Sequence, residues 1–234
     1  MRKISSLFIL LMMILTGCQT GTLNHQTVID WIDFIKWNGK MYDGIYTGAL
    51  ADEKYIGEKL GEVNFKVADN ITDTDYKIKN GDAAFHEKGT NFFTIKGSPN
   101  LIAVKSFRAI NGYAIYYSRD DSGYKWQFKN MPIEKVNRVE IYPAYTSEAP
   151  ERIAEIKNPE QISHFLQILK DSKESPNFEP NTEKGDPDYY YMVLYTVDPV
   201  AYKFDLLFDG HTYYWYLAEP SILSNDIQAF FPKK

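Results

Sequence analysis

The sequence predicts a β-rich protein of the α+β class. Short aromatic and β-branched segments recur between turn-forming residues, and one segment shows helical periodicity. Of 234 residues, 15% are aromatic and 18 are tyrosines, and aromatic residues favour strands. We expect an N-terminal antiparallel β meander or small barrel, followed by an antiparallel sheet with two helices on one face.

The first strands are predicted from aromatic segments that end in turn signals. Residues 28–37 could form a strand or a short amphipathic turn, and we favour the strand because a turn at Asn38 and Gly39 follows them. Residues 58–67 alternate imperfectly, and Gly61 interrupts them as a glycine does at a β-bulge. Turns are expected at residues 80–82 and 88–90, which contain Asn-Gly-Asp and Lys-Gly-Thr.

Four evenly spaced segments then predict the meander, with Gly-containing turns between them. The predicted strands are residues 91–96, 101–107, 113–118 and 124–129. The Asp-Asp-Ser-Gly sequence at 120–123 predicts that the last two strands form a hairpin.

The pattern changes after residues 130–132. Strands are predicted at 136–142 and 152–156, and a helix follows them. Asn158 can cap this helix and Pro159 suits its first position. A buried face is predicted from apolar residues at the i, i+3, i+4, i+7 spacing: Ile162, Phe165, Leu166 and Leu169.

The remainder of the chain predicts an exposed loop, three strands and a terminal helix. Residues 172–188 are rich in Pro, Gly and charge, which is typical of a loop. The predicted strands are 189–197, 201–208 and 212–217. Asp209-Gly210 predicts a tight hairpin between the last two, and residues 221–231 predict a short helix that docks on the sheet.

The N-terminus has the order of a secretory signal peptide: Arg2 and Lys3, an apolar run at residues 7–15, and small residues before Cys18. The run is about half of the ~20 residues that a membrane-spanning helix needs. Leu15-Thr16-Gly17-Cys18 resembles the lipobox of bacterial lipoproteins. The resemblance implies that residues 1–17 are removed and that Cys18 carries lipid, palmitate included. The alternative is an ordinary signal peptide followed by a free thiol.

Residues 37–107 resemble the N-terminal module of uncharacterised lipoproteins from low-GC Gram-positive bacteria. The motifs that carry the resemblance are Trp37-Asn38-Gly39, Ile56-Gly57-Glu58-Lys59-Leu60-Gly61-Glu62-Val63, Asn80-Gly81-Asp82-Ala83, Lys88-Gly89-Thr90, Ile95-Lys96-Gly97 and Ile102-Ala103-Val104. The resemblance implies a β-rich module outside the cytoplasm and assigns no catalytic residue.

The predicted organisation is a signal peptide at 1–17, a lipidated tether at 18–27, a β-rich module at 28–130 and an α+β module at 131–234. Cleavage before Cys18 would remove Arg2 and Lys3, so the net charge of −5 would become −7. This acidity, without a Lys/Arg cluster, argues against a nucleic-acid partner. Because Cys18 is the only cysteine, packing must stabilise the fold without disulfides.

The sequence contains no assembled catalytic or metal motif. The G-x-S-x-G nucleophile motif and glycine-rich phosphate loops are missing. The four histidines, His25, His86, His164 and His211, are not at metal-ligand spacing. Asp69, Asp73 and Asp75 lack the glycine and terminal glutamate of a calcium loop. We therefore expect no cofactor and no metal, and we favour a binding protein over an enzyme.

Two tyrosine clusters, at residues 189–191 and 213–216, suggest a ligand surface. Tyr190, Tyr214 and Tyr216 are the candidates for an outward aromatic surface that binds a sugar chain or a protein. The alternative, which we favour because such pairs are common in sheets, is cross-strand packing beneath Phe165 and Phe230.

We thus expect a lipoprotein anchored to the cell membrane on its extracytoplasmic face. Its expected role is binding or interaction at the envelope, with a protein or a glycan as partner. The alternative is an envelope hydrolase or an inhibitor of one. A two-lobed solute-binding protein is disfavoured because no alternating β-α-β pattern occurs.

Overall fold

The computed structural model describes residues 29–121 and 123–232. Its strands up to residue 118 are β1 Phe34–Trp37, β2 Lys40–Gly44, β3 Gly48–Leu50, β4 Ile56–Glu62, β5 Phe65–Lys66, β6 Asp82–Ala83, β7 Asn91–Ile95, β8 Ser98–Lys105 and β9 Tyr113–Ser118. The later elements are β10 Arg138–Pro143, β11 Ala154–Ile156, α1 Pro159–Lys170, β12 Lys173–Glu174, β13 Asp188–Tyr195, β14 Val200–Phe208, β15 Tyr213–Tyr216 and β16 Pro220–Ile222. The predicted β-rich α+β class is confirmed.

The first sheet has the strand order β4-β7-β8-β9-β2-β1-β6-β5. The neighbours β7, β8 and β9 pair antiparallel in sequence order, which is the predicted meander. The turn between β1 and β2 places Asn38 and Gly39 at positive φ, 48° and 78°, as a tight hairpin turn requires. The pairing of β4 with β7 shifts register between Lys59 and Gly61, where a bulge is predicted.

The second sheet has the order β11-β10-β13-β14-β15-β16-β12, and β3 pairs with β14 beside this path. The long strands β13 and β14 form its centre. Asp209 stabilises the β14–β15 turn, since its carboxylate accepts the backbone N–H groups of His211 and Thr212 at 2.9 and 2.7 Å. Gly210 takes φ 91° in that turn, so the predicted hairpin is confirmed.

Helix α1 begins where the sequence predicts. The side-chain oxygen of Asn158 accepts the backbone N–H groups of Glu160 and Gln161 at 2.9 and 3.1 Å, which satisfies donors that a helix start leaves free. The residues that α1 buries against the second sheet are Ile162, Phe165, Leu166, Ile168 and Leu169.

The strand predicted at 124–129 does not form, and this prediction is wrong. The segment contains only a short 3-10 helix, Phe128–Asn130. The hydroxyl of Tyr124 lies 2.6 Å from that of Thr47, and its ring packs edge-on against Trp126 and Tyr117. Ring packing thus replaces strand pairing where the chain passes from one sheet to the other.

The C-terminal helix is shorter than predicted and is a 3-10 helix, Asn225–Phe230. Ser221 pairs with Trp215 in the sheet instead of starting the helix. The cap is Ser224, whose hydroxyl accepts the backbone N–H of Asp226. Phe230 packs on Phe165 of α1 at 5.2 Å between ring centres, so both helices lie against the same face of the second sheet.

One large core joins elements from both predicted modules. Ile45, Leu50 and Ala103 belong to the same buried cluster as Met192 and Trp215. The described residues within Asp30–Asn70 and Lys77–Lys234 form one compact unit, and Ile71–Tyr76 are not part of it. That residues 28–130 and 131–234 are two separate modules stays a prediction.

The predicted signal peptide at 1–17, the tether at 18–27 and Cys18 itself lie outside the described residues. In the part of the chain that the structure describes, none of the helices has the length and apolar character needed to cross a bilayer.

Candidate functional site

The three tyrosines predicted as one surface lie on two faces of the second sheet. Tyr190 pairs with the fully buried Leu206 and is on the face that α1 covers. Tyr214 and Tyr216 are on the opposite face, because Tyr214 pairs with Leu207. Tyr214 is only 1% exposed, beneath Phe178, whereas Tyr216 is 49% exposed. The structure therefore brings Tyr214 and Tyr216 together and separates Tyr190 from both.

Tyr190 lines an open cleft of about 740 Å³ between the second sheet and the C-terminal 3-10 helix. We call it the aromatic cleft. Its aromatic residues are Tyr190, Phe208, Tyr213 and Phe231. Phe208 and Tyr213 stack with 4.3 Å between ring centres, and Phe231 lies 4.9 Å from Tyr190 and 5.5 Å from Tyr213. The rings come from β13, β14, β15 and the C-terminal segment, so the cleft exists only in the folded chain.

Polar side chains surround these rings. The cleft is also lined by His164, Asn225, Asp226 and Gln228. The hydroxyl of Tyr190 donates to the carboxylate of Asp188 at 3.3 Å. Amide, carboxylate and hydroxyl groups beside aromatic rings give the cleft both apolar contact area and directional hydrogen-bonding groups.

The tyrosine hydroxyls of the cleft stay protonated at neutral pH. Burial raises the pKa of Tyr190 to about 12, and the nearby carboxylate of Asp188 adds to the rise. Burial and Asp188 also raise the pKa of Tyr213. Both hydroxyls can therefore donate a hydrogen bond as well as accept one.

Sequence reasoning missed Phe208, Tyr213 and Phe231. The predicted hairpin at Asp209-Gly210 could have identified two of them, because a tight turn there places Phe208 opposite Tyr213, as observed. The predicted surface residues Tyr214 and Tyr216 do not line the cleft, whereas Tyr213 does. The prediction that residues 221–231 dock on the sheet includes Phe231, but it did not identify Tyr190 and Tyr213 as the rings that Phe231 contacts.

The structure also places the residues weighed as metal ligands. His86 Nε2 lies 2.6 Å from the hydroxyl of Tyr116, and His164 packs on Phe230 at 5.7 Å. Asp69 pairs with Lys66 at 2.5 Å, and the carboxylate of Asp73 accepts the backbone N–H of Asp75. Among the described residues, no three His, Cys, Asp or Glu side chains come together as a metal site would need.

In comparisons with known proteins, the chain matches no family model, no curated protein and no solved structure. Function is therefore argued from the site itself.

Proposed function

We propose that this chain is a lipoprotein, anchored to the extracytoplasmic face of the cell membrane through Cys18, which binds an envelope glycan in the aromatic cleft. The observation that carries the binding role is the cleft itself, in which four aromatic rings meet a polar rim. The N-terminal pattern of Arg2, Lys3, the apolar run and Leu15–Cys18 supports the location.

A glycan suits this cleft better than a purely apolar ligand. Sugar rings present C–H groups on their faces and hydroxyls at their edges, so they need flat aromatic contacts and hydrogen-bonding groups together. Phe231 and Tyr190 supply aromatic contacts, while Asn225, Asp226 and Gln228 supply donors and acceptors at the edge. The volume of about 740 Å³ is within the ~300–1,000 Å³ usual for ligand clefts.

Binding can be tested by titrating N-acetylglucosamine tetrasaccharide into the full chain carrying Cys18→Ser, with calorimetric detection. Replacement of Tyr190 by Ala removes an aromatic contact and should weaken binding at least about tenfold. The matched control is Tyr216→Ala, an exposed tyrosine on the opposite face of the same sheet, which should bind as the parent does.

Thermal unfolding of each variant checks that Tyr190→Ala is folded at the titration temperature, and Tyr190→Phe gives a milder variant that retains the ring. Failure of the parent chain to bind the tetrasaccharide or isolated cell-wall glycan would refute the glycan assignment. Equal losses of glycan affinity in Tyr190→Ala and Tyr216→Ala would refute the placement of the glycan in the aromatic cleft.

Anchoring has a separate test. Mass spectrometry of the mature N-terminus should find a lipid-modified Cys18, and Cys18→Ser should move the protein from the membrane fraction to the soluble fraction. Two or three acyl chains give stable anchoring, at about 0.8 kcal/mol per buried methylene. An unmodified cysteine in a membrane-free protein would contradict the proposal.

The alternative is an envelope hydrolase or an inhibitor of one. Two carboxylates favour a hydrolase as the second candidate, since Asp226 lines the cleft and Asp188 bonds to Tyr190. Release of new reducing ends from cell-wall glycan, lost in the double variant Asp188→Asn, Asp226→Asn, would establish hydrolysis. Binding without release of reducing ends supports the binding role.

A further inference from the structure

A second cavity, distinct from the aromatic cleft, contains two charged groups that lack full partners. It has a volume of about 160 Å³ and is lined by residues of β2, β3, β9, β13 and β14. Asp33 and Lys203 both line it, together with Arg108. We call it the Lys203 cavity.

Lys203 is a half-buried lysine that has no ionic partner among the described residues. Its ammonium lies over the ring of Tyr191, 4.7 Å from the ring centre. Among residues 29–121 and 123–232, no carboxylate lies within 4.0 Å of it and no hydrogen bond from its side chain is formed. Burial lowers the pKa of Lys203, and the carboxylate of Asp205 on the same strand only partly opposes this. A cation enclosed without an acceptor is costly, so an anionic group placed beside it would be stabilised.

Asp33 is a carboxylate with unused acceptor capacity. Its two oxygens share one donor, the hydroxyl of Tyr116, at 2.8 and 2.9 Å. The Tyr116 hydroxyl has a single hydrogen, which it donates to Asp33 when Asp33 is ionised. His86 Nε2 lies 2.6 Å from the Tyr116 hydroxyl oxygen and then donates a hydrogen bond to that oxygen. Burial raises the pKa of Asp33 despite the hydrogen bond from Tyr116. A cationic donor beside Asp33 would satisfy the carboxylate.

Small residues keep the space beside these charges open. A Cβ added at Gly44 would lie 2.9 Å from Oδ2 of Asp33, so a larger residue there would press against the carboxylate. Ala49 and Ala114 also line the cavity. Its volume is below the ~300–1,000 Å³ of usual ligand pockets but exceeds that of several water molecules. Only a small molecule fits.

We propose that the Lys203 cavity binds a small free α-amino acid, with its ammonium group at Asp33 and its carboxylate at Lys203 and Arg108. A zwitterion carries a partner for each of the two charges that line this cavity, whereas a simple anion or a simple amine carries a partner for one. A phosphate dianion is disfavoured because Asp33 lines the same small space. Arg108 can assist because it lines the cavity and has no carboxylate partner among the described residues.

The test is a titration of the full Cys18→Ser chain with glycine, L-alanine and D-alanine, followed by calorimetry or NMR. Propionate and ethylamine serve as probes that each carry one of the two charges, and inorganic phosphate tests for a simple anion site. At least one of the amino acids should bind about tenfold more tightly than any of the single-charge probes.

Lys203→Met retains an apolar stem without the charge, and Asp33→Asn retains an acceptor for Tyr116. Each should weaken amino-acid binding at least about tenfold. Lys129→Met, at an exposed lysine outside the cavity, should leave it unchanged. The comparison among probes needs only the parent chain, so it distinguishes an amino-acid site from a simple anion or amine site even where a variant fails to fold.

Three results would overturn the proposal. One is a folded parent chain that binds none of the amino acids. Another is propionate or phosphate binding as tightly as the amino acids, which would show a simple anion site. The third is unchanged amino-acid binding in Lys203→Met and Asp33→Asn, which would place the ligand elsewhere.

Discussion

At the scale of single residues, Glu140 shows how the second sheet accommodates a buried charge. The residue is 3% exposed. Its carboxylate accepts from Arg152 at 2.5 Å and from the hydroxyl of Tyr142 at 2.7 Å, and Arg138 lies 3.3 Å away. Since a buried carboxylate is tolerated only when it is paired and hydrogen-bonded, these contacts fix the β10 face that carries Arg138, Glu140 and Tyr142.

The pKa of Glu140 reflects these contacts. Burial by itself would raise it, but the hydroxyl of Tyr142 and the guanidinium of Arg152 outweigh burial and hold the pKa of this carboxyl below its usual range. A carboxyl whose pKa is lower in the folded state stabilises the fold above its unfolded pKa. The contribution is lost as the pH falls through the folded pKa.

We therefore expect Glu140→Gln to lower the free energy of unfolding at pH 7 by about 2 kcal/mol. This is less than the ~3–5 kcal/mol for breaking a fully buried pair, because the Arg152 side chain is 44% exposed. The deficit should shrink as the pH is lowered from 7 towards 3, and urea denaturation at each pH measures it.

Glu155→Gln is the control, since Glu155 also pairs with Arg152, at 2.9 Å, but is more exposed. It should cost less than about 1 kcal/mol. A Glu140→Gln deficit that is the same at pH 7 and pH 3 would contradict the role given to the ionised carboxylate.

At the scale of elements, turns fix how the strands of the first sheet meet. Gly81 and Gly89 both lie in predicted turns and both have positive φ, 89° and 87°. The N–H of Gly81 donates to the carbonyl of Lys36 at 2.7 Å, and its carbonyl accepts from Asn64 at 2.8 Å. Gly81 thus joins β1 to the residues before β5, and the turn at Gly89 also contacts those residues, since the N–H of Gly89 donates to the carbonyl of Val63 at 2.7 Å.

Replacement of each glycine by Ala separates backbone strain from crowding. A Cβ at Gly81 would lie 2.0–3.0 Å from side-chain atoms of Asn64, whereas a Cβ at Gly89 would meet nothing within 4 Å. Both variants are destabilised because alanine is strained at positive φ. The free energy of unfolding of Gly81→Ala should be lower than that of Gly89→Ala by a further ~1–3 kcal/mol. Thermal or urea unfolding measures the difference, and equal losses would show that Asn64 moves aside freely.

At the scale of the whole molecule, the core continues across the predicted module boundary. Strand β3, from the N-terminal half, pairs with β14 through Leu50 and Val200. Leu50 is fully buried in the same cluster as Trp215. Because neither half completes this cluster alone, we expect residues 30–232 to unfold together.

Two tryptophans provide probes of this cooperativity. Trp126 belongs to the predicted first module and Trp215 to the second, and both are buried. Chains that retain one of them, with the other tryptophans replaced by Phe, should show fluorescence transitions with the same midpoint as circular dichroism. Two separated midpoints would instead support independent modules at 28–130 and 131–234.

Local signals predicted the fold well where a residue acts on its near neighbours. Asn158 caps α1 through groups two and three residues away, and the turns at Asn38-Gly39 and Asp209-Gly210 rest on backbone angles that few residues adopt. The segment around Tyr124 was mispredicted because its aromatic composition suits a strand, while its rings pack on Tyr117 and Trp126. Composition alone does not distinguish those two uses of an aromatic ring.

The amino-acid sequence by itself determined the β-rich class, the start of α1, the tight turns and the prediction of export and lipidation at Cys18. Only the tertiary structure decided that β3 joins the second sheet, that Tyr190 meets Phe231, and that Asp33 and Lys203 share a cavity. The physical reason is the separation along the sequence of the residues that interact, because caps and turns depend on residues a few positions apart. Strand order and cavities instead depend on contacts between distant segments, which no local pattern encodes.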